Sequence, residues 1–412
     1  MRARIHRGTH EIGGTCVELE ADGRRIIIDA GLPLDWAEGT APPLPSIDWA
    51  SLCGVLISHP HLDHYGLLPR MPETGGVPVA IGGAARSILR AAAPFVRKET
   101  PAFDGPSLQD RRPIRMGPFT ITPYLVDHSA YDSYSLLIEA QGRRLFYSGD
   151  FRAHGRKRAL FERLIAEPPL AIDALLLEGT LVGQEPHAHR IRSESDLQVA
   201  FQRAFKETRG LALVHASAQN IDRMVTIFKA SKDSSRTLLV DLYAAAMLEA
   251  TDNPRIPQSH WEEVALCVPH RQRVQIKEEG WFTKLDRHKK NRVFLDREVR
   301  ANPERYVLLF RPLWRRDLER AGCLKDAVLI HSQWKGYLEE KRFQEIERWR
   351  ASHGIGFEVI HTSGHASIDD LRRLARALNP GKLVPIHTAS PDGFGSIHER
   401  VVRHSDGEWW DV

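Results

Sequence analysis

The sequence predicts an α/β protein with two domains, and three observations lead to this prediction. The chain has 412 residues, which is more than one typical core holds and suits about two domains of ordinary size. Apolar runs that end in His, Asp or Glu recur in residues 1–180 and again in 356–412. Strand and helix patterns alternate between 181 and 355, as in parallel βαβ units. We therefore expect a first domain, residues 1–180 and 356–412, that is interrupted by an α/β domain, residues 181–355.

Composition limits the cellular setting and the class of substrate. Hydrophobic residues make up 42% and charged residues 27% of the chain, which is typical of a soluble globular protein. We find no apolar run that could span a membrane and no signal peptide at the N-terminus, so we predict a cytoplasmic protein. The four cysteines are widely spaced, so reduced and buried thiols are expected. A net charge of +4 permits a polyanionic substrate but does not require one.

The densest group of candidate ligands is His59-Pro60-His61-Leu62-Asp63-His64. Three imidazoles and a carboxylate within six positions are ligands that Zn²⁺ accepts and that Mg²⁺ or Ca²⁺ would not select. The apolar run Val55-Leu56-Ile57 precedes the motif, so the motif should follow a buried strand. A histidine-rich surface turn is the alternative. The density of ligands favours half of a metal site.

Other predicted strands also end in polar side chains. The first is the second strand of a hairpin that turns at Asp22-Gly23 and ends at Asp29. Later strands end at His128, Asp150, Glu178, His365 and His387. Strand propensity does not explain such a series, so we expect these side chains to meet at one edge of a sheet.

The His-x-His-x-Asp-His pattern resembles the signature of the metallo-β-lactamase superfamily, whose members hold one or two metals in an αββα sandwich. Glu178 resembles the acidic motif A of the β-CASP nucleases, Ser363-Gly364-His365-Ala366 their motif B, and Pro385-Ile386-His387 their motif C. The inserted domain falls between motifs A and B, as in that family. Histidine at motif C is typical of the RNA-acting branch, which includes ribonuclease J and the pre-mRNA 3′-end cleavage factor.

This resemblance, which spans about residues 8 to 390, implies a role for each candidate residue. One metal would be held by His59, His61 and His128, and the other by Asp63, His64 and His387, with Asp150 bridging the two ions. The ions would be two Zn²⁺, with Mn²⁺ as the alternative. Asp29 would hydrogen-bond a ligand loop and so orient it. Catalysis would rest on a metal-activated hydroxide, on His365 as general acid, on Glu178 as its partner, and on Asp63.

Substrate contacts are assigned to Ser217, Asn220, Ser363 and Gly364. The first two resemble a strand-to-helix turn of the family that faces substrate, although Ser or Asn there would also serve as a helix cap. Basic residues between 271 and 320 are interleaved with Trp281, Phe282 and Trp314. Such a segment either follows a phosphate backbone or forms a solvated charged surface.

The expected function is therefore that of a metal-dependent ribonuclease, with a DNA nuclease of the same family as the alternative. A glyoxalase-type thioester hydrolase would lack the inserted domain and His365, and a non-catalytic subunit would have lost ligands. RNA is favoured over single-stranded DNA as partner, and endo- or exonuclease action stays open. Two departures from ribonuclease J bear on that choice and on the oligomer: the chain ends 25 residues after His387, and His331–Gly336 replace an expected Pro-Gly-Asn-Glu.

Overall fold

The structure is a computed structural model that describes residues 1–37, 39–41, 43–71, 76–96, 103–184 and 193–412. The chain divides into two units, Met1–Arg190 with Gly364–Val412, and Ile191–Ser363. Among the residues that the structure describes, no helix has the length and apolar character that a membrane span requires. All four cysteines are free thiols; Cys16, Cys267 and Cys323 are buried as expected, whereas Cys53 is partly exposed.

The first unit contains a mixed sheet whose strand order is β19-β1-β2-β3-β4-β5-β6. Strands β2 and β3 form the predicted hairpin, and β4, which pairs with β3, leads to the histidine motif. With all strands numbered in chain order, its members are β1 Arg2–Arg7, β2 Cys16–Ala21, β3 Arg24–Ile28, β4 Leu52–Leu56, β5 Val79–Gly82, β6 Ser107–Leu108 and β19 Trp409–Asp411.

A second sheet of the same unit has the order β18-β11-β10-β9-β8-β7. Strands β7, β8, β9 and β10 pair antiparallel with one another. Strands β10, β11 and β18 are parallel, so these three strands end at the same edge. The members are β7 Ile114–Met116, β8 Phe119–Val126, β9 Ser133–Ala140, β10 Arg143–Tyr147, β11 Ala174–Glu178 and β18 Lys382–Ile386.

The two sheets pack face to face between helices, which gives the expected αββα sandwich. In β3, Ile26 and Ile28 face the core between the sheets and Ile27 faces the helical layer, because successive side chains of a strand point to opposite faces. The second sheet is buried on both faces too, as its nearly continuous apolar strands predict. The helices of this unit are α1 Leu62–Tyr65, α2 Gly83–Ala92, α3 Arg158–Ala166 and α11 Ile368–Leu378.

The second unit is built on a parallel sheet with the order β14-β13-β15-β12-β16-β17. Its strands are β12 Ala212–His215, β13 Thr237–Val240, β14 Val264–Leu266, β15 Tyr306–Phe310, β16 Val328–His331 and β17 Gly356–Val359. Its helices are α4 Glu194–Glu207, α5 Ile221–Asp233, α6 Leu242–Glu249, α7 His270–Glu278, α8 Phe282–His288, α9 Arg315–Ala321 and α10 Lys341–Ser352.

Short helical turns complete the regular structure of the described residues. In the described residues, 3₁₀ turns lie at Trp49–Ser51, Leu68–Arg70, Ala93–Val96, Lys289–Asn291, Pro303–Arg305, Pro312–Trp314 and Lys335–Glu339. Another follows β18 at Pro391–Ser396, and a π-helical turn spans Leu295–Val299.

Two features of the second unit differ from the sequence-based expectation. Strand β17 was assigned to the returning segment of the first domain, but it pairs with β16 as the edge strand of the parallel sheet. Its apolar pattern could not show which sheet would accept it. Trp314 is fully buried in the core of this unit, so it does not offer a surface for a nucleobase, unlike Phe282, which is 54% exposed.

Candidate metal centre

The candidate ligands lie where strand ends from both sheets of the first unit meet. His59, His61, Asp63 and His64 follow β4 of the first sheet, and the short helix α1 begins within this motif. His128, Asp150 and His387 follow β8, β10 and β18 of the second sheet. The site therefore involves edges of two sheets, where one had been expected, because the sandwich brings both edges together.

Three imidazoles converge through their ring nitrogens. His61 Nδ1 lies 3.2 Å from His59 Nε2 and 3.3 Å from His128 Nε2. The opposite nitrogen of His128 donates to the carbonyl of Gly364 at 2.7 Å, and His59 Nδ1 lies 3.0 Å from Ser58 Oγ. The hydrogen bond to Gly364 turns the lone pair of His128 Nε2 toward the other two rings. Three such nitrogens are a suitable ligand set for a cation.

A second group surrounds the carboxylate of Asp150. Its Oδ2 lies 3.2 Å from His64 Nε2 and 3.7 Å from His59 Nε2, while Oδ1 lies 3.4 Å from His387 Nδ1. Asp63 Oδ2 lies 3.8 Å from both His64 Nε2 and His387 Nε2. Asp150 thus contacts members of both predicted ligand sets, which is the position that a bridging carboxylate would need.

Asp29 orients the histidine motif through hydrogen bonds to Ser58 and His64. Its buried carboxylate accepts hydrogen bonds from Ser58 N, Ser58 Oγ and Tyr147 OH at 2.7 to 2.8 Å, and it lies 2.7 Å from His64 Nδ1. A proton on His64 Nδ1 leaves Nε2 to face Asp150. Sequence reasoning missed Ser58 and Tyr147, since only the packing of β10 against β3 brings the tyrosine hydroxyl to Asp29.

His387 and Asp29 both occupy left-handed backbone conformations at strand ends. Their φ angles are +52° and +59°, a region in which Asp and His occur more often than most non-glycine residues. Thr15 Oγ1 lies 3.1 Å from His387 Nδ1, and the Gly13 N–H donates to Nε2 at 3.2 Å. The loop between β1 and β2, which precedes the hairpin, therefore orients His387 through contacts between residues far apart in sequence.

Burial and neighbouring charges set the protonation of the cluster. Burial lowers the pKa of His59 and of His128 well below the usual value and lowers that of His61 to about 4. Burial also disfavours the ionised form of Asp150, but the imidazoles of His387, His64 and His365 hold its pKa well below the usual range. Neutral imidazoles and an ionised carboxylate are the forms that bind metal. His64 differs from the other three rings, because burial opposes its protonation but Asp150 and Asp29 raise its pKa well above the usual value. A metal bound there would displace the proton of His64.

Orphaned polar atoms provide an independent test of whether a metal fits. Within the described part of the chain, both carboxylate oxygens of Asp150 and Nε2 of His64 are buried and lack a well-formed hydrogen bond. A buried carboxylate without such partners is costly unless a cation compensates it. Mixed imidazole and carboxylate donors suit zinc-like ions, so the residues present fit a metal.

His365 lies beside this cluster with a different environment. Its Nδ1 is 3.4 Å from Glu178 Oε2, 3.1 Å from Thr180 Oγ1 and 3.6 Å from Asp150 Oδ2. Burial opposes its protonation, but Glu178 and then Asp150 raise the pKa of His365 to about 9. The ring is thus an imidazolium at neutral pH and can donate a proton. His365, Glu178 and Asp150 are also close enough to hold a metal, so a ligand role is the competing assignment.

The four predicted substrate residues have unequal local surroundings. Ser217 Oγ accepts from the N–H of Gln219 at 3.3 Å, and Asn220 Oδ1 accepts from the N–H of Arg223 at 3.0 Å as the cap of α5. The Asn220 contact is the capping role that had been the alternative to a substrate role, and the Ser217 contact lies in the turn that leads into α5. Ser363 is half-buried at the end of the second unit, and the carbonyl of Gly364 orients His128.

Comparisons with known proteins identify a family and several similar chains. Residues 24–240 match the model of the beta-lactamase superfamily domain, and residues 356–391 match that of the Zn-dependent metallo-hydrolase RNA specificity domain. Ribonuclease J of Helicobacter pylori (strain B128) is 26% identical over 418 residues, covering 92% of this chain and 55% of that protein. Endoribonuclease YSH1 of Mycosarcoma maydis is 25% identical over 268 residues, covering 59% and 28%.

The chain thus spans about half the length of the ribonuclease J relative and less of the YSH1 relative. A crystal structure of a protein of unknown function from Enterococcus faecalis V583 covers 99% of both chains with a TM-score of 0.73 at 19% identity. This similarity supports the fold alone.

Proposed function

Because this chain belongs to the metallo-β-lactamase superfamily and to its β-CASP nuclease family, we propose that it is a metal-dependent ribonuclease. The proposal rests chiefly on the position of His365, whose Nδ1 lies 3.4 Å from Glu178 and 3.6 Å from Asp150 at the border of the candidate metal centre. A proton donor beside a metal site is what hydrolysis of a phosphodiester with a poor leaving group requires. The second unit would correspond to the β-CASP insertion.

We assign the ligands as two sets that share Asp150. His59, His61 and His128 would form one set, and Asp63, His64 and His387 the other. Two cations, zinc or manganese, would polarise the phosphodiester and lower the pKa of an attacking water. Asp29 keeps His64 Nε2 directed at Asp150, and Gly364 keeps His128 Nε2 directed at His61. Both contacts reduce the reorganisation needed when the site is filled.

His365 would protonate the leaving 3′-oxygen through its exposed side. The side chain of His365 is 22% exposed, whereas that of Glu178 is 2% exposed. The carboxylate of Glu178 is therefore in contact with the histidine and shielded from solvent. Glu178 is itself held by the N–H groups of Phe151 and Thr180, each at 3.2 Å. Thr180 Oγ1 offers His365 Nδ1 a further partner, and Nε2 is then the nitrogen that can meet the substrate.

RNA is the proposed substrate for two reasons. The match to the RNA specificity domain covers residues 356–391, which include both His365 and His387. The relatives are named as ribonucleases, and histidine at position 387 resembles the RNA-acting branch.

The test uses RNA and single-stranded DNA of identical sequence, labelled at the 5′ or the 3′ end, with zinc- or manganese-loaded protein. We expect RNA to be cleaved, and the product lengths from the two labels will define polarity. The Asp150→Ala variant is the control and should leave RNA intact. Cleavage of DNA with RNA spared would identify a DNA nuclease, and cleavage of neither polymer would contradict the proposed function.

A further inference from the structure

An exposed aromatic pair follows β16 in the second unit. Trp334 is 60% exposed and Tyr337 is 37% exposed, and their ring centroids lie 5.5 Å apart at an interplanar angle of 88°. Tryptophan is on average one of the more buried residue types, so a tryptophan with most of its surface in solvent is uncommon. A pair of exposed rings at one turn therefore indicates a binding surface.

The backbone of this turn is well anchored. The carbonyl of Trp334 accepts hydrogen bonds from Tyr337 N at 3.2 Å and from His331 Nε2 at 3.4 Å, and residues 335–339 form a 3₁₀ turn. Ser332 directly follows β16, and its Oγ donates to the carbonyl of Ile360 at 2.5 Å. This hydrogen bond connects the start of the turn to the segment after β17. The rings thus project from a fixed base.

Gly336 sets the position of the indole. A Cβ atom built on Gly336 would overlap the benzo ring of Trp334, so the ring lies directly over this residue. The backbone of Gly336 has no positive φ angle, so alanine is permitted there apart from this overlap. Glycine is therefore needed at position 336 for one reason, which is that the indole of Trp334 occupies the space of a Cβ atom.

The chemistry around the pair suits a nucleobase. The guanidinium of Arg342, whose side chain is 77% exposed and forms an ion pair with Glu340, lies 5.7 Å from the ring centroid of Tyr337. Residues 335–350 contain five basic and four acidic side chains, so the local charge is nearly balanced. Stacking, supported by a cation near a ring, fits this surface better than a line of phosphate contacts.

The turn also lies where a parallel sheet usually binds ligands. It leaves the carboxyl end of β16, and open α/β sheets bind ligands at that edge. His331, the last residue of β16, is paired with Val359 of β17, and the chain then continues to His365 within six residues. The turn therefore lies at the edge of the second unit's sheet where a ligand is expected.

We propose that Trp334 and Tyr337 form a stacking platform for one base of single-stranded RNA. This inference rests on the proposed function and names how the substrate is held. Trp334 supplies the stacking face, Tyr337 supports it edge-on, and Gly336 keeps the indole in place. The platform would be specific to this chain's His331–Gly336 sequence, which differs from the stretch expected in ribonuclease J.

The experiment measures the Kd of a labelled single-stranded RNA for metal-loaded protein carrying His365→Ala, so that the RNA survives. Onto this background are added Trp334→Ala, Trp334→Phe or Gly336→Ala, and Val199→Ala as a control, since Val199 is an exposed apolar residue of the same unit. Trp334→Ala should weaken binding about 5- to 150-fold, which corresponds to one lost base stack. Gly336→Ala should weaken binding comparably, Trp334→Phe less, and Val199→Ala should leave Kd unchanged.

A series of RNAs, each with one base removed, identifies the stacked nucleotide. One abasic position should weaken binding to the parent protein yet have no further effect on Trp334→Ala. Because stacking releases no counterions, the dependence of log Kd on log salt should have the same slope in both proteins. An unchanged Kd in Trp334→Ala, or equal sensitivity of both proteins at every abasic position, would overturn the platform. Failure of the otherwise unmodified protein to cleave RNA would instead overturn the proposed function, since these binding data do not depend on cleavage.

Discussion

His365 and His387 show how two histidines at the same site acquire different properties. Both lie near Asp150, at 3.6 Å and 3.4 Å. Glu178 contacts His365, and the pKa of His365 rises to about 9. Burial lowers the pKa of His387, which is closed in by Thr15 and Gly13. The protonated ring suits acid catalysis, and the neutral ring suits metal binding.

The first prediction separates these two roles by mutation. His365→Ala should keep the full metal content and reduce turnover on RNA about 10²- to 10⁴-fold, the usual contribution of a positioned proton donor. Glu178→Gln should behave similarly. The double variant, His365→Ala with Glu178→Gln, should have a turnover only a little lower than either single variant, because the two residues act as a unit. Elemental analysis and kcat on RNA provide the measurements.

His387→Ala is the matched comparison and should lose metal together with activity. A nitrophenyl phosphodiester has a good leaving group and should restore turnover to His365→Ala but not to His387→Ala. Loss of metal from His365→Ala would show that His365 is a metal ligand. Full activity of that variant on RNA would show that His365 is not the general acid.

The second prediction concerns pH. The pKa of His365 is raised to about 9, so the proton donor is present below this pH and is lost as the pH rises through it. Activity on RNA should therefore fall on the alkaline side of the profile. Glu178→Gln removes the strongest influence that raises this pKa, so the alkaline fall should move to lower pH.

Profiles of kcat/KM against pH for the unmodified protein and for Glu178→Gln test this prediction. The nitrophenyl phosphodiester is the control substrate, because its cleavage needs little protonation and should lack the shift. If activity falls at the same alkaline pH in both proteins, Glu178 does not set the pKa of His365.

At the scale of elements, the ligand motif depends on backbone contacts between loops. The N–H of Thr15 donates to the carbonyl of Asp63 at 3.1 Å, and the N–H of Ala30 donates to that of His64 at 2.8 Å. A Cβ atom at Gly31 would overlap the backbone of Asp63. The loop after β3 and the motif after β4 are thus packed too closely for any side chain at position 31.

The third prediction is that Gly31→Ala displaces the motif. Because backbone atoms would have to move, we expect a loss of about 1–3 kcal/mol in the free energy of unfolding, together with weaker metal binding. Denaturant unfolding and metal titration are the measurements. Gly395→Ala is the control, since a Cβ atom there meets nothing within 4 Å and stability should hardly change. Unaltered stability of Gly31→Ala would show that the loops are not packed as described.

At the scale of the molecule, the two sheets of the sandwich should be joined by metal. The first sheet supplies His59, His61, Asp63 and His64, and the second supplies the other three candidate ligands. An ion held by ligands from both sheets binds the folded chain only, so it stabilises the fold by mass action, by about 2.7 kcal/mol at a hundredfold excess over its Kd.

The fourth prediction is a content near two metal ions per chain, with a chelator lowering the Tm. Asp150→Ala should reduce both the content and the chelator effect, because Asp150 contacts both ligand sets. Exposed Asp48→Ala is the control and should retain both. A native content near zero after purification with sufficient metal would exclude the dinuclear site, and a content near one would exclude its second half.

The sequence alone determined the ligand types and their placement at strand ends, because both are local properties. Three imidazoles and a carboxylate at 59–64, and apolar runs ending at Asp150 and His387, required no knowledge of distant contacts. The alternation of strands and helices likewise predicted the parallel sheet of the second unit. The roles of the individual site residues stay predictions that the experiments above address.

Only the tertiary structure decided which distant residues meet. Tyr147 at Asp29, Thr15 at His387 and Thr180 at His365 are pairings across 118, 372 and 185 positions, and no local pattern encodes them. The same holds for burial: Trp314 lies in a core and Trp334 at the surface, although both are tryptophans beside basic residues. Exposure and contact depend on how elements pack against one another, and β17 joined the second unit for the same reason.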